Sequence, residues 1–480
     1  MASDYRYRLY ALLKATDELR EVYGRDKLGG LTRFTRKLLR RDPYGVPRGA
    51  AVLSSFAAVG APSFDWTPAL PGDDEYDVED LDELIVAYAF DDPARQQEFI
   101  KLVAAGQGAG DDATILATGG DIGVATADHW CPGQAAQGAF GDRADAGRTI
   151  NAGALPPALT GKKVNVVIVD QGLSQAAIEP ANWGGGLNWQ GTPPDTVLVG
   201  TADRTSHGMM IARNILDLAP DARLYDVPLL PRRIGHVDAF LSSAHAAYVE
   251  ILRYIDYLRA AYPADPQYKG PWILVNAWAI FDRATETPLG DYTQNAHAPD
   301  AGSPDGHPLI TEVRTSAILQ RKFDVIFAAG NCGEFCFSIR CGKLDRGPGH
   351  SIWGPNALPE VITVGAARTD QMWAGYSSQG PGPGTTSNKL AHDKPDLCAP
   401  SNFCETLDAH VWNSGTSAAC AITAGVVAAL RSNPAWNQVN RSPAQMLAAL
   451  KTGARKTQGP GWNQRLGNGI LDVCGAMGNL

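Results

Sequence analysis

The sequence predicts an α/β protein with a mainly parallel central sheet, joined to a smaller N-terminal α/β region. Three observations carry this. Nearly continuous apolar runs recur in the later chain, as at Val164-Asn165-Val166-Val167-Ile168-Val169, and such runs suit strands covered on both faces. Helical stretches at 207–218 and 238–261 alternate with them. The 480 residues suffice for roughly two to three domains, and 44% hydrophobic with 19% charged residues is a globular balance.

Taken in order, residues 1–41 read as helical. Leu9, Leu12, Leu13, Leu19, Val22 and Tyr23 recur at three- and four-residue spacings, and Leu31, Phe34, Leu38 and Leu39 begin a second pattern. That second segment is basic, with Arg33, Arg36, Lys37, Arg40 and Arg41, and reads either as a solvated face or as the binding face for an acidic partner. Residues 42–80 read as a linker, first rich in Pro, Gly and Ala and then acidic. A small α/β unit follows over about 80–128, with a strand at 84–90, a helix over 93–103 and short strands at 114–118 and 122–125. A Gly-, Ala- and Asp-rich loop to about 155 separates an N-terminal region, 1–150, from a second domain, 156–480. In that domain, strands are expected at 164–169, 272–275, 325–329 and 361–364.

Charge and apolar length exclude several function classes. The formal net charge of −9 speaks against a generally basic, nucleic-acid-binding surface. No run approaches the ~18 apolar residues of a spanning helix, so no membrane partner is expected. Charges interrupt the apolar residues after Met1, so no signal peptide is visible and a cytoplasmic location is expected; a trimmed chain would leave secretion open.

Candidate chemistry sits where apolar runs end. Val169-Asp170-Gln171-Gly172 puts a carboxylate at a strand end, where burial demands a partner. His207 opens a helix in Ser206-His207-Gly208-Met209-Met210. Asn413-Ser414-Gly415-Thr416-Ser417-Ala418-Ala419 delivers Ser417 to the start of an Ala-rich helix, whose positive end favours developing negative charge. Read singly, the Asp and His suit structural roles and the hydroxyls suit N-caps.

Together these pieces resemble the subtilisin-like serine peptidases over about 160–475, in the family's chain order of Asp, His and Ser. Further matching blocks are Ala328-Ala329-Gly330-Asn331, Tyr376-Ser377-Ser378-Gln379-Gly380-Pro381 and Lys394-Pro395-Asp396-Leu397-Cys398-Ala399-Pro400. The resemblance implies a subtilisin-like three-layer fold and a serine endopeptidase acting on a protein or peptide substrate. Ser417 would be the nucleophile, His207 the general base, Asp170 its orienting partner, and Asn331 an oxyanion-hole donor. No cofactor and no metal is implied by the residues, since no Asp/Asn-rich calcium loop stands out.

The sequence departs from the family at Gln171, Met209, Ala421 and Ile422. The segment Ala277-Trp278-Ala279-Ile280, with Gly330, falls where the family binds substrate, and the bulk of Trp278 and Ile280 predicts a narrow pocket for small side chains. Cys332, Cys336 and Cys341 follow Asn331 as free thiols, as one disulfide plus a thiol, or as a zinc site completed by His350. Family members often carry an N-terminal propeptide; here an attached domain packed against the catalytic one is expected. The rival reading is a subtilisin-fold protein that binds peptides without cutting them.

Overall fold

In the computed structural model the chain divides into two compact units, residues 1–126 and 127–480. The structure describes 7–14, 16–25, 50–59, 81–90, 115–120 and residues 94, 97, 99 and 101 of the first unit. In the second it describes 129–130, 140–188, 195–231, 240–282, 308–383, 392–405 and 411–480. The division falls earlier than the expected linker because the helix Arg143–Thr149 belongs to the second unit: Thr149 Oγ1 donates to the Thr369 carbonyl.

The first unit is a four-stranded antiparallel sheet in the order β2-β3-β1-β4, from β1 (Tyr7–Lys14), β2 (Ala50–Val59), β3 (Leu81–Phe90) and β4 (Ile115–Gly120). Two expectations are corrected here. Residues 7–14 form a strand, not a helix, and the helix runs only over Asp17–Arg25. The apolar spacing of that segment suits both periods, and pairing with β3 on one side and β4 on the other decides for the strand. The supposed linker also contains β2, whose Ala-rich run lacked alternation. The basic segment 31–41, the acidic residues 73–80 and the strand at 122–125 lie outside the described residues, while Asp82 and Glu83 at the end of the acidic run fall in β3.

The second unit is built on a nine-stranded sheet. Its strands are β5 (His129–Trp130), β6 (Asn165–Asp170), β7 (Trp183–Gly186), β8 (Arg223–Pro228), β9 (Trp272–Asn276), β10 (Asp324–Ala328), β11 (Ile362–Ala367), β12 (Trp373–Ala374) and β13 (Leu397–Pro400). The order is β5-β12-β11-β10-β9-β6-β8-β7, with β13 also paired to β11 and only the β11–β12 pair antiparallel. The fold is thus the α/β, mainly parallel, three-layer arrangement expected.

Side-chain alternation along the strands feeds two cores. Val166, Ile168, Ile273, Val275, Ile326 and Val364 face the helices His207–Leu218 and Gly415–Arg431. Val167, Val169, Leu274, Val325 and Phe327 face the helix Phe240–Ala261 and the helical segment Glu312–Gln320. Strands buried on both faces take apolar residues at most positions, which is why the runs were nearly continuous.

One buried ion pair fastens the Gly415–Arg431 helix to this sheet. Arg431 and Asp324, both fully buried, meet through Nε–Oδ2 at 2.7 Å and Nη2–Oδ1 at 2.5 Å. Arg431 also donates to the Trp436 and Arg441 carbonyls, and Gln438 Nε2 donates to Asp324 Oδ2 at 2.7 Å. Removing one member strands the other charge in the core. Arg431→Met should therefore destabilise the second unit by about 3–5 kcal/mol, and adding Asp324→Leu should restore much of the loss. Urea unfolding of the single and double variants checks this.

Candidate active site

Parallel strands β6, β9 and β10 end on the same edge of the sheet, and the expected residues gather there. Asp170 closes β6 and is fully buried. Its Oδ1 accepts from the Gln171 backbone N–H at 2.7 Å and lies 2.7 Å from His207 Nδ1. Among the described residues Oδ2 has no hydrogen-bond partner, so the carboxylate's charge is answered on the histidine side.

His207 is set by the start of its helix. Ser206 caps that helix, its Oγ accepting from Met209 N at 3.2 Å and donating to the Gly172 carbonyl at 3.1 Å. A Cβ at position 208 would stand 2.4 Å from the Gly172 oxygen, so only glycine lets the helix sit this close to the turn after β6. Gln171, a departure from the family, also serves the site: its Oε1 accepts from the His207 backbone N–H at 3.2 Å. Met209, another departure, offers its sulfur to the Ser174 N–H at 3.3 Å. Burial pulls the His207 pKa down, but the charge and hydrogen bond of Asp170 outweigh it and hold the imidazole above its ordinary value.

Asn331 and Ser417 meet at the start of the Gly415–Arg431 helix. Asn331 Oδ1 accepts from both Thr416 N and Thr416 Oγ1 at 3.0 Å, which leaves the amide Nδ2 as the outward donor. Thr416 Oγ1 in turn accepts from Gly330 N at 3.1 Å. A Cβ built on Gly415 would lie 3.3 Å from Asn331 Nδ2 and 3.8 Å from Ser417 Oγ, so one small volume borders both groups. The Ser417 N–H belongs to the first turn, whose donors have no intrahelical acceptor. Ser417 is not an N-cap: its hydroxyl donates to the Ala277 carbonyl at 3.1 Å, and Ser414 holds the cap position.

The helices bearing His207 and Ser417 are tied together. Asn214 Nδ2 donates to Asn413 Oδ1 at 2.8 Å, and Asn413 Nδ2 donates to Glu405 Oε1 at 3.0 Å. Although burial opposes ionisation, Arg143, Asn413 and Arg213 hold the Glu405 carboxyl down to about 2.

The expected substrate-binding residues divide. Ala277 receives the Ser417 hydroxyl, and the Ala279 Cβ lies 3.1 Å from where a Cβ on Gly330 would stand, so these segments face each other. Ile280 is half-buried against Gly354. Trp278 is a correction. Its ring packs edge-on to Phe327, 5.1 Å between centroids, inside the second core, because the chain leaves β9 with this side chain on the sheet's buried face. The part of the expected narrowing that rested on Trp278 is therefore absent.

The cysteine alternatives also resolve. Cys332 and Cys341 form a disulfide, and Cys336 is disulfide-bonded as well, so neither the leftover thiol nor the zinc set with His350 stands. Among the described residues no cluster of three His, Cys, Asp or Glu side chains is placed to hold a metal ion. Sequence reasoning passed over Thr416 as the clamp on Asn331, although it lay within the quoted motif. It also passed over Asp226, which carried no local signal.

The model of the subtilase family matches residues 255–469. No curated protein sequence matches the chain. Among solved structures it is similar to MycP1 from Mycobacterium smegmatis, at 18% identity over 71% of this chain and 86% of that one, TM-score 0.44. It is also similar to a mutant of the protease domain of PatA, at 19% identity over 67% and 97%, TM-score 0.42. A lanthipeptide protease aligns at 17% identity over 69% and 92%, TM-score 0.46.

Asp226 gives the site's surroundings a pH signature. It is fully buried in β8 and accepts from Gly200 N at 2.8 Å. Burial, with the negative charge of Asp170 adding to it, pushes its carboxyl up to about 7 from 3.8. A raised carboxyl favours the fold most below its unfolded pKa and loses that contribution as pH rises through the folded one. The melting temperature of Asp226→Asn relative to wild type should therefore climb between pH 3.8 and about 7 and then level off. Thermal melts across that range check the slope.

Proposed function

We propose, from the premise that residues 255–469 belong to the subtilase family of serine endopeptidases, that this chain hydrolyses peptide bonds through Asp170, His207, Ser417 and Asn331. The observation that carries the reading is that these four side chains, from four separate segments, gather at one edge of the sheet as two neighbouring pairs, Asp170 with His207 and Asn331 with Ser417. Rotation of Ser417 about χ1 releases its hydroxyl from the Ala277 carbonyl for transfer of the proton to His207. Oxygen attack on the peptide carbonyl gives an acyl-enzyme and a free amine, with the proton passing from His207 to the leaving nitrogen. Asp170 keeps the Nδ1 side of the imidazole engaged and stabilises its cation. Asn331 Nδ2 and the Ser417 N–H serve the developing oxyanion. Water then hydrolyses the ester.

A second reading, peptide binding without cleavage, is favoured by one observation: the Ser417 hydroxyl donates to a backbone carbonyl in the resting site. The complete set of catalytic groups favours hydrolysis over it.

The N-terminal unit is read as a regulatory or chaperone-like region, supported by its own sheet and its compactness. A partner for its basic segment stays part of this proposal. No helix among the described residues is long and apolar enough to cross a membrane. The disulfide-bonded Cys332, Cys336 and Cys341 favour an oxidising setting over the reducing cytoplasm expected from the N-terminal sequence.

A fluorophosphonate probe should label the wild type and not Ser417→Ala. That variant and His207→Ala should each lose about a thousandfold or more in kcat, as triad members act as a unit. Binding without cleavage predicts neither label nor turnover. The acid limb of kcat/KM should lie above pH 6.5, because Asp170 raises the His207 pKa from that value.

A further inference from the structure

The loop after Asn331 brings a cation to the cleft. The disulfide Cys332–Cys341 closes it, and Ser338 N donates to the Asn331 carbonyl at 2.9 Å, so residues 338–341 fold back on the segment that bears Asn331. Arg340 stands on this returning arm, its guanidinium 4.2 Å from the centroid of the Phe281 ring. Phe281 lies four residues beyond Ala277, which receives the Ser417 hydroxyl, and Gly342 N donates to the Phe281 carbonyl at 2.8 Å. Arg340 thus spans the two segments, 277–281 and 330–341, that already meet at Ala279 and Gly330.

Among the described residues no carboxylate answers this charge. Among the described residues Arg340 forms no ion pair, and its side-chain hydrogen bond is a single contact of 3.3 Å from Nε to Ser338 Oγ. Other arginines nearby are occupied: Arg346 gives Nε and Nη2 to the Cys341 carbonyl, and Arg465 reaches Glu334 at 3.5 Å. A half-buried guanidinium without an acid is costly unless something supplies one. Its charge also acts on the imidazole of His207, pulling it down against Asp170.

We propose that Arg340 is a specificity determinant of this peptidase, pairing with a carboxylate that the substrate carries close to the bond being cut. The stacked, planar fork suits a Glu or Asp side chain, and the ring beneath it holds the guanidinium in place. The substrate class is then acidic peptide segments. This inference rests on the peptidase reading.

The test uses the full-length protein and a peptide that the wild type cleaves once. Glu, Gln or Lys is placed in turn at each of three positions on either side of that bond. At one position Glu should be cleaved about tenfold or more faster than Gln in kcat/KM, the usual worth of a hydrogen bond to a charged group. In Arg340→Ala that ratio should fall to within about twofold, Arg340→Lys should keep part of it, and Arg340→Glu should favour Lys. The acid limb of kcat/KM should also move to higher pH in Arg340→Ala. Equal cleavage of Glu and Gln peptides at every position by the wild type, or a Glu preference that survives Arg340→Ala, would overturn the assignment. Fluorophosphonate labelling of each sample separates the two readings. Labelled enzyme indifferent to Glu defeats only the role of Arg340, whereas an unlabelled, inactive wild type defeats the peptidase reading and this inference with it.

Discussion

The contact between the His207–Leu218 and Gly415–Arg431 helices governs everything at the site. Gly425 makes it possible: a Cβ there would lie 3.1 Å from the Asn214 and Ile215 carbonyl oxygens, tighter than packed atoms allow without movement. With glycine in place, the helix that begins at His207 lies directly against the one that presents Ser417. Asn214 then reaches Asn413 just before the serine turn, so backbone approach and side-chain hydrogen bond fix the same separation. A larger residue at 425 would move both ends of the site at once.

The sheet supplies the second constraint. Arg431 and Asp324 lock the far end of the serine helix to the start of β10, while Thr416 and Asn331 lock its near end to the loop that follows the same strand. The helix is therefore referenced to β10 at both termini. Pairing of β10 with β9 and of β9 with β6 carries that reference to Ala277 and Asp170. Relative positions of Asp170, Asn331 and Ser417, which are far apart in sequence, become a matter of strand register, which cannot slip while both faces are buried.

Electrostatics at this edge is asymmetric. Asp170 and Asp226 place two carboxyl groups in the buried floor near β6 and β8, and the raised Asp226 avoids a second full charge there. The cation Arg340 stands on the other side, on a loop stapled by a disulfide to the residue after Asn331. His207 lies between these influences, raised by its acid and lowered by the arginine.

Much of this was legible in the chain. Nearly continuous apolar runs announced the parallel sheet, because a strand covered on both faces has no place for alternation. The motifs around Asp170, His207, Asn331 and Ser417 were legible as candidates, because each depends on a local turn or helix start that short stretches of sequence encode. Residues 7–14 were not legible: their spacing fits helix and strand alike, and pairing with two distant strands made the choice. The same holds for Trp278, whose side depends on how the chain leaves β9, and for the cysteines, whose state depends on which sulfurs the loop brings together. The sequence by itself determined the fold class and the local turns that carry Asp170, His207, Asn331 and Ser417, since these rest on periodicity and short motifs. Only the tertiary structure decided which side chains face the cleft, since that follows from contacts between segments that the chain keeps far apart.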